Sequence, residues 1–173
     1  METIKIRKIS KLDIDQLKDI GKRCFSEAFS ADNDEANMDE YLEREFSSEK
    51  LIIELSDKNS DFYFAEIKTK AIGYLKINFG LSQTEIKDSN AMEIERIYVL
   101  REYYGKNVGH LLYQEAIKKA KEKRLNYIWL GVWEKNPRAI RFYKKNDFVE
   151  FDKHIFKLGD DEQTDLMMKL QLK

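Results

Sequence analysis

A chain of 173 residues that is 42% hydrophobic and 12% aromatic suffices for one domain with a sizeable core and leaves no room for a second, so one domain is expected over residues 1–173. Charged residues make up 36%, yet acids and bases nearly cancel to a net charge of −1, which gives no overall pull toward nucleic acid. Cys24 is the only cysteine, so an intrachain disulfide and a Cys-rich zinc site are excluded and a reducing compartment fits.

Met1 to Ser10 mixes charged and apolar residues without an apolar run, so neither a signal peptide nor a membrane span is expected and the cytoplasm is the expected location. Ile4 and Ile6 alternate with charges as a first strand would. Leu17, Ile20, Cys24 and Phe25 then recur at helical spacing, as do Met38, Tyr41, Leu42 and Phe46, and again Leu51 and Leu55. These make two or three amphipathic helices, with breaks and N-caps among Asn33, Asp34, Ser47 and Ser48. The stretch Ser26 to Asp61 holds twelve acids against three bases.

Phe62 to Phe79 is aromatic and β-branched around a polar Lys68-Thr69-Lys70 break, which predicts a hairpin. A polar loop, Gly80 to Asn90, leads to a strand at Ala91 to Val99. There Met92 and Ile94 share one parity and Ile97 and Val99 the other. Either a β-bulge near Glu95 and Arg96 or burial of both faces accounts for that switch. Gly109 to Lys123 is amphipathic, and Tyr127 to Trp133 reads as a parallel strand covered on both faces, so Ala91 to Trp133 forms a βαβ unit. Asn136-Pro137 opens a helix that ends at Asn146-Asp147, where a left-handed residue is expected. Strands at Phe148 to Leu158 and Asp165 to Leu172 complete a mixed, mostly antiparallel sheet of about seven strands flanked by helices, an α/β (α+β) class. Between Gly105 and Lys145 eleven bases face three acids, so the two signs are segregated along the chain and favour a cation at one end and an anion at the other.

Chemistry concentrates in two places. The loop Tyr104-Gly105-Lys106-Asn107-Val108-Gly109-His110 puts residues tolerant of positive φ before a helix N-terminus, an arrangement suited to a pyrophosphate, although a structural turn would look the same. With Asn136-Pro137-Arg138-Ala139-Ile140-Arg141-Phe142-Tyr143 and Phe148, this loop resembles the GCN5-related N-acetyltransferase (GNAT) superfamily. That superfamily places a Gln/Arg-x-x-Gly-x-Gly/Ala loop after a bulged fourth strand, and an Asn-Pro-x-Ala-x-x-Phe-Tyr…Gly-Phe signature further on. Tyr104 stands where Gln or Arg is usual, and Asn107 and Asp147 stand where Gly is usual. Ile94 to Val99, Trp129 to Asn136 and Leu158 to Asp165 are similar, more narrowly, to bacterial spermidine/spermine acetyltransferases of the PaiA type.

The resemblance implies the GNAT fold, acetyl-CoA as co-substrate without a metal, and a small-molecule primary amine, a polyamine, as acceptor in a ternary complex. It implies cofactor contacts at Ile97, Tyr98, Val99, Tyr104, Gly105, Lys106, Asn107, Val108, Gly109, His110, Asn136 and Tyr143. The Ile97 backbone N–H would face the acetyl oxygen and the Tyr143 hydroxyl the thioester sulfur. An alkylamine is protonated at neutral pH, so a base is required. Glu93 and Glu95 are the candidates, with surface charge the alternative for each; Glu95 is preferred by its match to the eukaryotic polyamine enzymes. Asp34, Glu35, Asp39 and Glu43 are candidates for an acidic wall. His110 and His154 are too few for a His-based metal site, and Cys24 reads as a small buried hydrophobe. A protein N-terminus or lysine as acceptor, and CoA binding without catalysis, are the alternatives. No nucleic-acid or membrane partner is expected, and aromatic residues on outer strands are compatible with a homodimer.

Overall fold

The computed structural model describes residues 2–173. Seven strands form one sheet in the order β1-β2-β3-β4-β5-β7-β6. They are β1 (Ile4–Lys8), β2 (Ser60–Ile67), β3 (Lys70–Phe79), β4 (Ala91–Val99), β5 (Tyr127–Trp133), β6 (Val149–Leu158) and β7 (Asp161–Gln171). The β4–β5 neighbours are parallel and the other pairs antiparallel.

The acidic first third gives three helices, α1 (Ile14–Phe29), α2 (Glu35–Glu45) and α3 (Ser48–Ser56). Among the expected caps, Asp34 accepts from Asn37 N–H at 3.1 Å and Ser47 from Lys50 N–H at 3.2 Å. Each thereby satisfies a donor that the helix itself leaves free. Leu17, Ile20, Cys24 and Phe25 of α1 are buried on one face of the sheet with Phe46, Leu51, Phe64 and Tyr74. A Cβ at Gly21 would lie 2.4 Å from the Phe46 ring, so glycine there lets the end of α2 close onto α1. The other face carries α4 (Val108–Glu122) and α5 (Pro137–Lys145). Leu112, Tyr113 and Ala116 of α4 pack there on Leu75, Ile77, Ile128 and Leu130. Tyr113 is thus core, and so is Cys24.

One strand boundary differs from expectation. β7 begins at Asp161 rather than Asp165, because Leu158 already pairs with Asp161 and Lys157 with Glu162 across a two-residue turn. A mostly exposed hairpin needs no apolar alternation, so its polar half reads as loop.

Candidate active site

The site originates in a failure of strand pairing. β4 and β5 pair only where Ala91 to Glu93 faces Tyr127 to Trp129. Beyond Glu93, β4 continues along β3 to Val99, and β5 continues along β7 to Trp133. The two strands therefore diverge. The cause is local: Lys76 faces Arg96 and Ile77 faces Ile94, which leaves Glu95 as the extra residue of a bulge that bends β4. Leu100 N–H donates to Ile72 O on β3 at 3.0 Å. Amide directions alternate along a strand, so the N–H groups of Ile97 and Val99 face the opposite edge, into the split. A cavity of about 1300 Å³ opens there, lined on β4 by Glu93 to Val99.

One end of the cavity is built from backbone and cations. Gly105 has φ +74° and Asn107 φ +67°. Asn107 precedes α4 without a side-chain cap, leaving the first N–H groups of that helix free. A Cβ on Gly105 would meet nothing within 4 Å, so glycine is required there by φ rather than by space. Tyr104, Gly105, Asn107, Val108, Gly109 and His110 line the cavity with Arg101, Arg138, Arg141 and Lys145. The Arg138 guanidinium sits 3.6 Å over the Tyr104 ring, so a cation stands beside the position where the resemblance anticipates Gln or Arg. Lys106 departs from expectation: its ammonium turns outward over the Tyr103 ring, at 5.1 Å, and does not line the cavity.

This end fits an elongated anion such as CoA. A helix N-terminus with free donors, a left-handed cradle and cavity-lining guanidinium groups suit phosphates. The Asn136 Oδ1 accepts from Ala139 N–H at 3.2 Å, which leaves the Nδ2 donors of this cavity-lining residue for a ligand. Tyr143 is buried and lines the cavity. Burial pushes its phenol well above the ordinary value, so the hydroxyl stays protonated. Trp133 and Phe142 line the cavity too, Trp133 packing on Phe29 with ring centroids 5.4 Å apart.

The other end is built from side chains, and its two central carboxylates differ. Glu93 is buried; it accepts from Asn78 Nδ2 and Thr84 N–H at 2.9 Å each and from Thr84 Oγ1 at 2.5 Å. Burial nonetheless raises its pKa, outweighing the bonds from Thr84 and Asn78. Glu95 meets Lys76 Nζ at 2.5 Å, Asn78 Nδ2 at 2.7 Å and Arg96 at 3.9 Å. Burial would raise its pKa as well, but the Arg96 and Lys76 charges prevail and hold it at about 2. Those cations are fixed in turn by Glu54 of α3, at 3.2 Å from Lys76 and 3.6 Å from Arg96, and by Glu45 of α2, at 3.8 Å from Arg96. Glu95 is thus part of a buried ion network that clamps the bulge to α2 and α3.

The acidic wall is also composed differently from expectation. Asp34, Glu35, Asp39 and Glu43 do not line the cavity. Asp34 caps α2, and Glu43 pairs with Lys22 at 2.7 Å. Glu45 of that stretch does line it, joined by Glu85 from the β3–β4 loop and Asp165 from β7, while Glu27 lines it beside Arg101, whose backbone N–H donates to the Glu27 carboxylate at 2.7 Å. Gln83 pins that loop, accepting from Trp129 Nε1 at 2.7 Å and donating to Gly80 O and Asp88 O at 3.1 and 2.8 Å. Asn78, Gln83, Thr84, Glu85, His154 and Asp165 escape the sequence reading because no local pattern marks them. Cys24 is buried, and burial pushes its thiol up to about 12, which removes it as a nucleophile. Among the described residues, no group of three or more His, Cys, Asp or Glu could hold a metal ion, and no helix is long and apolar enough to cross a membrane.

The model of the acetyltransferase (GNAT) family matches residues 14–148. A Lactobacillus delbrueckii subsp. lactis protein, named as an uncharacterized N-acetyltransferase, is 36% identical over 172 residues, 99% of each chain. The spermidine N(1)-acetyltransferase of Thermoplasma acidophilum is 27% identical over 171 residues, 96% of each chain. Among solved structures, the PaiA N-acetyltransferase of Thermoplasma acidophilum in complex with coenzyme A superposes with a TM-score of 0.82 at 25% identity, covering 98% of this chain and 99% of that one.

Proposed function

The chain belongs to the acetyltransferase (GNAT) family and is an acetyl-CoA-dependent N-acetyltransferase, and from that premise we propose that its acceptor is a primary amine, a polyamine such as spermidine, acetylated by direct transfer in a ternary complex. The observation that carries this reading is the buried Glu93, whose raised pKa suits it to take a proton at the acidic end of the β4–β5 split. The relative named as a spermidine acetyltransferase, similar over almost the whole chain, supports the polyamine.

Acetyl-CoA supplies the acetyl group as a thioester. The loop from Tyr104 to His110, the free donors of α4, and Arg101, Arg138 and Arg141 hold its phosphates. Glu93 accepts one proton from the incoming ammonium, freeing the lone pair that attacks the acetyl carbon. A carboxylate held at about 2, as Glu95 is, is a much weaker proton acceptor for an amine of pKa about 10. The Ile97 N–H, turned into the split, donates to the acetyl oxygen as negative charge grows there. As the C–S bond breaks, the Tyr143 hydroxyl gives its proton to the departing sulfur and recovers one from the nitrogen, which becomes the amide N–H. Asn78 holds the machinery in register, since its amide bonds both Glu93 and Glu95 while its Oδ1 accepts from Ser60 at 2.8 Å.

The test is thiol release from acetyl-CoA across spermidine, n-butylamine and a peptide with a free N-terminus. Spermidine is expected to be turned over with the highest kcat/KM; turnover of the peptide alone contradicts the proposal.

A further inference from the structure

His154 lies on β6 directly opposite Asp165 of β7, and both side chains line the acidic end of the cavity. Each imidazole nitrogen faces a carboxylate: Nδ1 is 3.3 Å from Glu85 and Nε2 3.3 Å from Asp165. The ring rests over Gly131 of β5, where a Cβ would lie 3.0 Å from His154 Cε1 and 3.5 Å from Asp165 Oδ2. Gly131 has no positive φ, so what glycine contributes there is room: any Cβ would sit tightly against the ring. A side chain that carries a proton thus sits between two carboxylates at the end of the cavity that receives the acceptor.

We propose that His154 determines acceptor selectivity: as imidazolium it compensates the charge of Glu85 and Asp165, and as neutral imidazole it leaves their negative charge for the distal ammonium of a diamine. The inference rests on the amine-acceptor reading above. An internal cation and a substrate cation compete for one carboxylate pair, so binding of the second ammonium is linked to loss of the His154 proton. The groups that face the ring are Asp165 from β7, Glu85 from the loop before β4 and Glu93 from β4, while β5 contributes only the uncharged Gly131. All three carboxylates, Asp165 foremost, raise the His154 pKa against the opposing effect of burial. The imidazolium is therefore the dominant form at mildly acid pH, and diamine selectivity rises as pH climbs through its titration. A monoamine has no second charge to place and is indifferent to the exchange.

Putrescine and n-butylamine share a carbon chain and differ in the second ammonium, so the ratio of their kcat/KM values isolates this step. Between about pH 6 and 8.5 both reacting amines remain largely protonated, so their ionisation and that of Glu93 enter both rates and cancel in the ratio. In the wild type the ratio is expected to rise about tenfold across that range, the scale of one partly buried charge contact. His154→Gln should make it high and independent of pH, His154→Lys low and independent of pH, and Asp165→Asn about tenfold lower at pH 8.5. A wild-type ratio that is flat in pH while both amines react, or a His154→Gln enzyme that keeps the wild-type slope, overturns the inference and leaves amine transfer standing. Turnover of neither amine overturns both. Because n-butylamine is the denominator, general loss of activity or stability in a variant does not imitate the effect, and the wild-type slope stands as a test even if a variant fails to fold.

Discussion

The two ends of the cavity are made in different ways. The CoA end is mainly backbone: a left-handed turn at Gly105 and Asn107, the uncapped start of α4, and guanidinium groups from adjacent stretches. The end proposed for the acceptor is side chain on side chain, with Asn78, Thr84, Glu85, Glu93, His154 and Asp165 drawn from four strands and a loop. Backbone donors bind any phosphate of the right shape, whereas side chains drawn from several segments can be exchanged one at a time. On the proposed assignment, a constant co-substrate is held by the part of the fold that is hardest to alter, and the acceptor by the part that is easiest.

Variants at each end should fail differently. Glu93→Gln removes the proton acceptor and is expected to lower kcat by a hundredfold or more, on the order of general-base catalysis, while calorimetry finds CoA affinity within about twofold of wild type. Tyr143→Phe should lower kcat by about a hundredfold with every amine, measurable as thiol release. Glu95→Gln separates the two carboxylates, since kcat should fall far less than in Glu93→Gln. Its cost should appear in stability instead, at roughly 3 kcal/mol or more in denaturant unfolding, because Lys76 and Arg96 lose a buried partner. Equal losses of kcat at the two positions would break the distinction. Asn107→Val forces a β-branched residue to φ +67°, and the roughly 1–2 kcal/mol of strain should weaken CoA binding about tenfold without changing the order of preference among amines.

The pH dependence carries the same contrast. The base role proposed for Glu93 requires its deprotonated form, and burial raises its pKa, so kcat should rise with pH through a value above the ordinary carboxylate range. The folded-state pKa of Glu95 is depressed. The stability it contributes is therefore present above about pH 4.3 and is lost as pH falls toward about 2. Circular dichroism across that interval should show a smaller pH-dependent loss in Glu95→Gln than in wild type.

Sequence legibility follows the same division. The left-handed Asn107 and Asp147, the cap at Asn136 and the bulge at Glu95 are local events, each marked by residue type or parity within a few positions. The ranking of Glu93 against Glu95 is not local. It depends on which β3 residue faces each carboxylate across a register shift, and that shift puts Lys76 beside Glu95 and Asn78 between the two. Asp34, Glu35, Asp39 and Glu43 looked suited to a cationic acceptor because they are close in sequence, but the helical turn and the capping role of Asp34 direct them elsewhere. His154 escaped because its significance lies in partners on another strand and a distant loop, and in the missing side chain of Gly131.

The most direct test of the account is mass spectrometry of both products and protein after incubation with acetyl-CoA and spermidine. Monoacetylated spermidine equal in amount to the thiol released, with the protein mass unchanged during turnover, is the predicted result. Thiol release with the acetyl group retained on the protein, or no acetylated product from any amine offered, would contradict it.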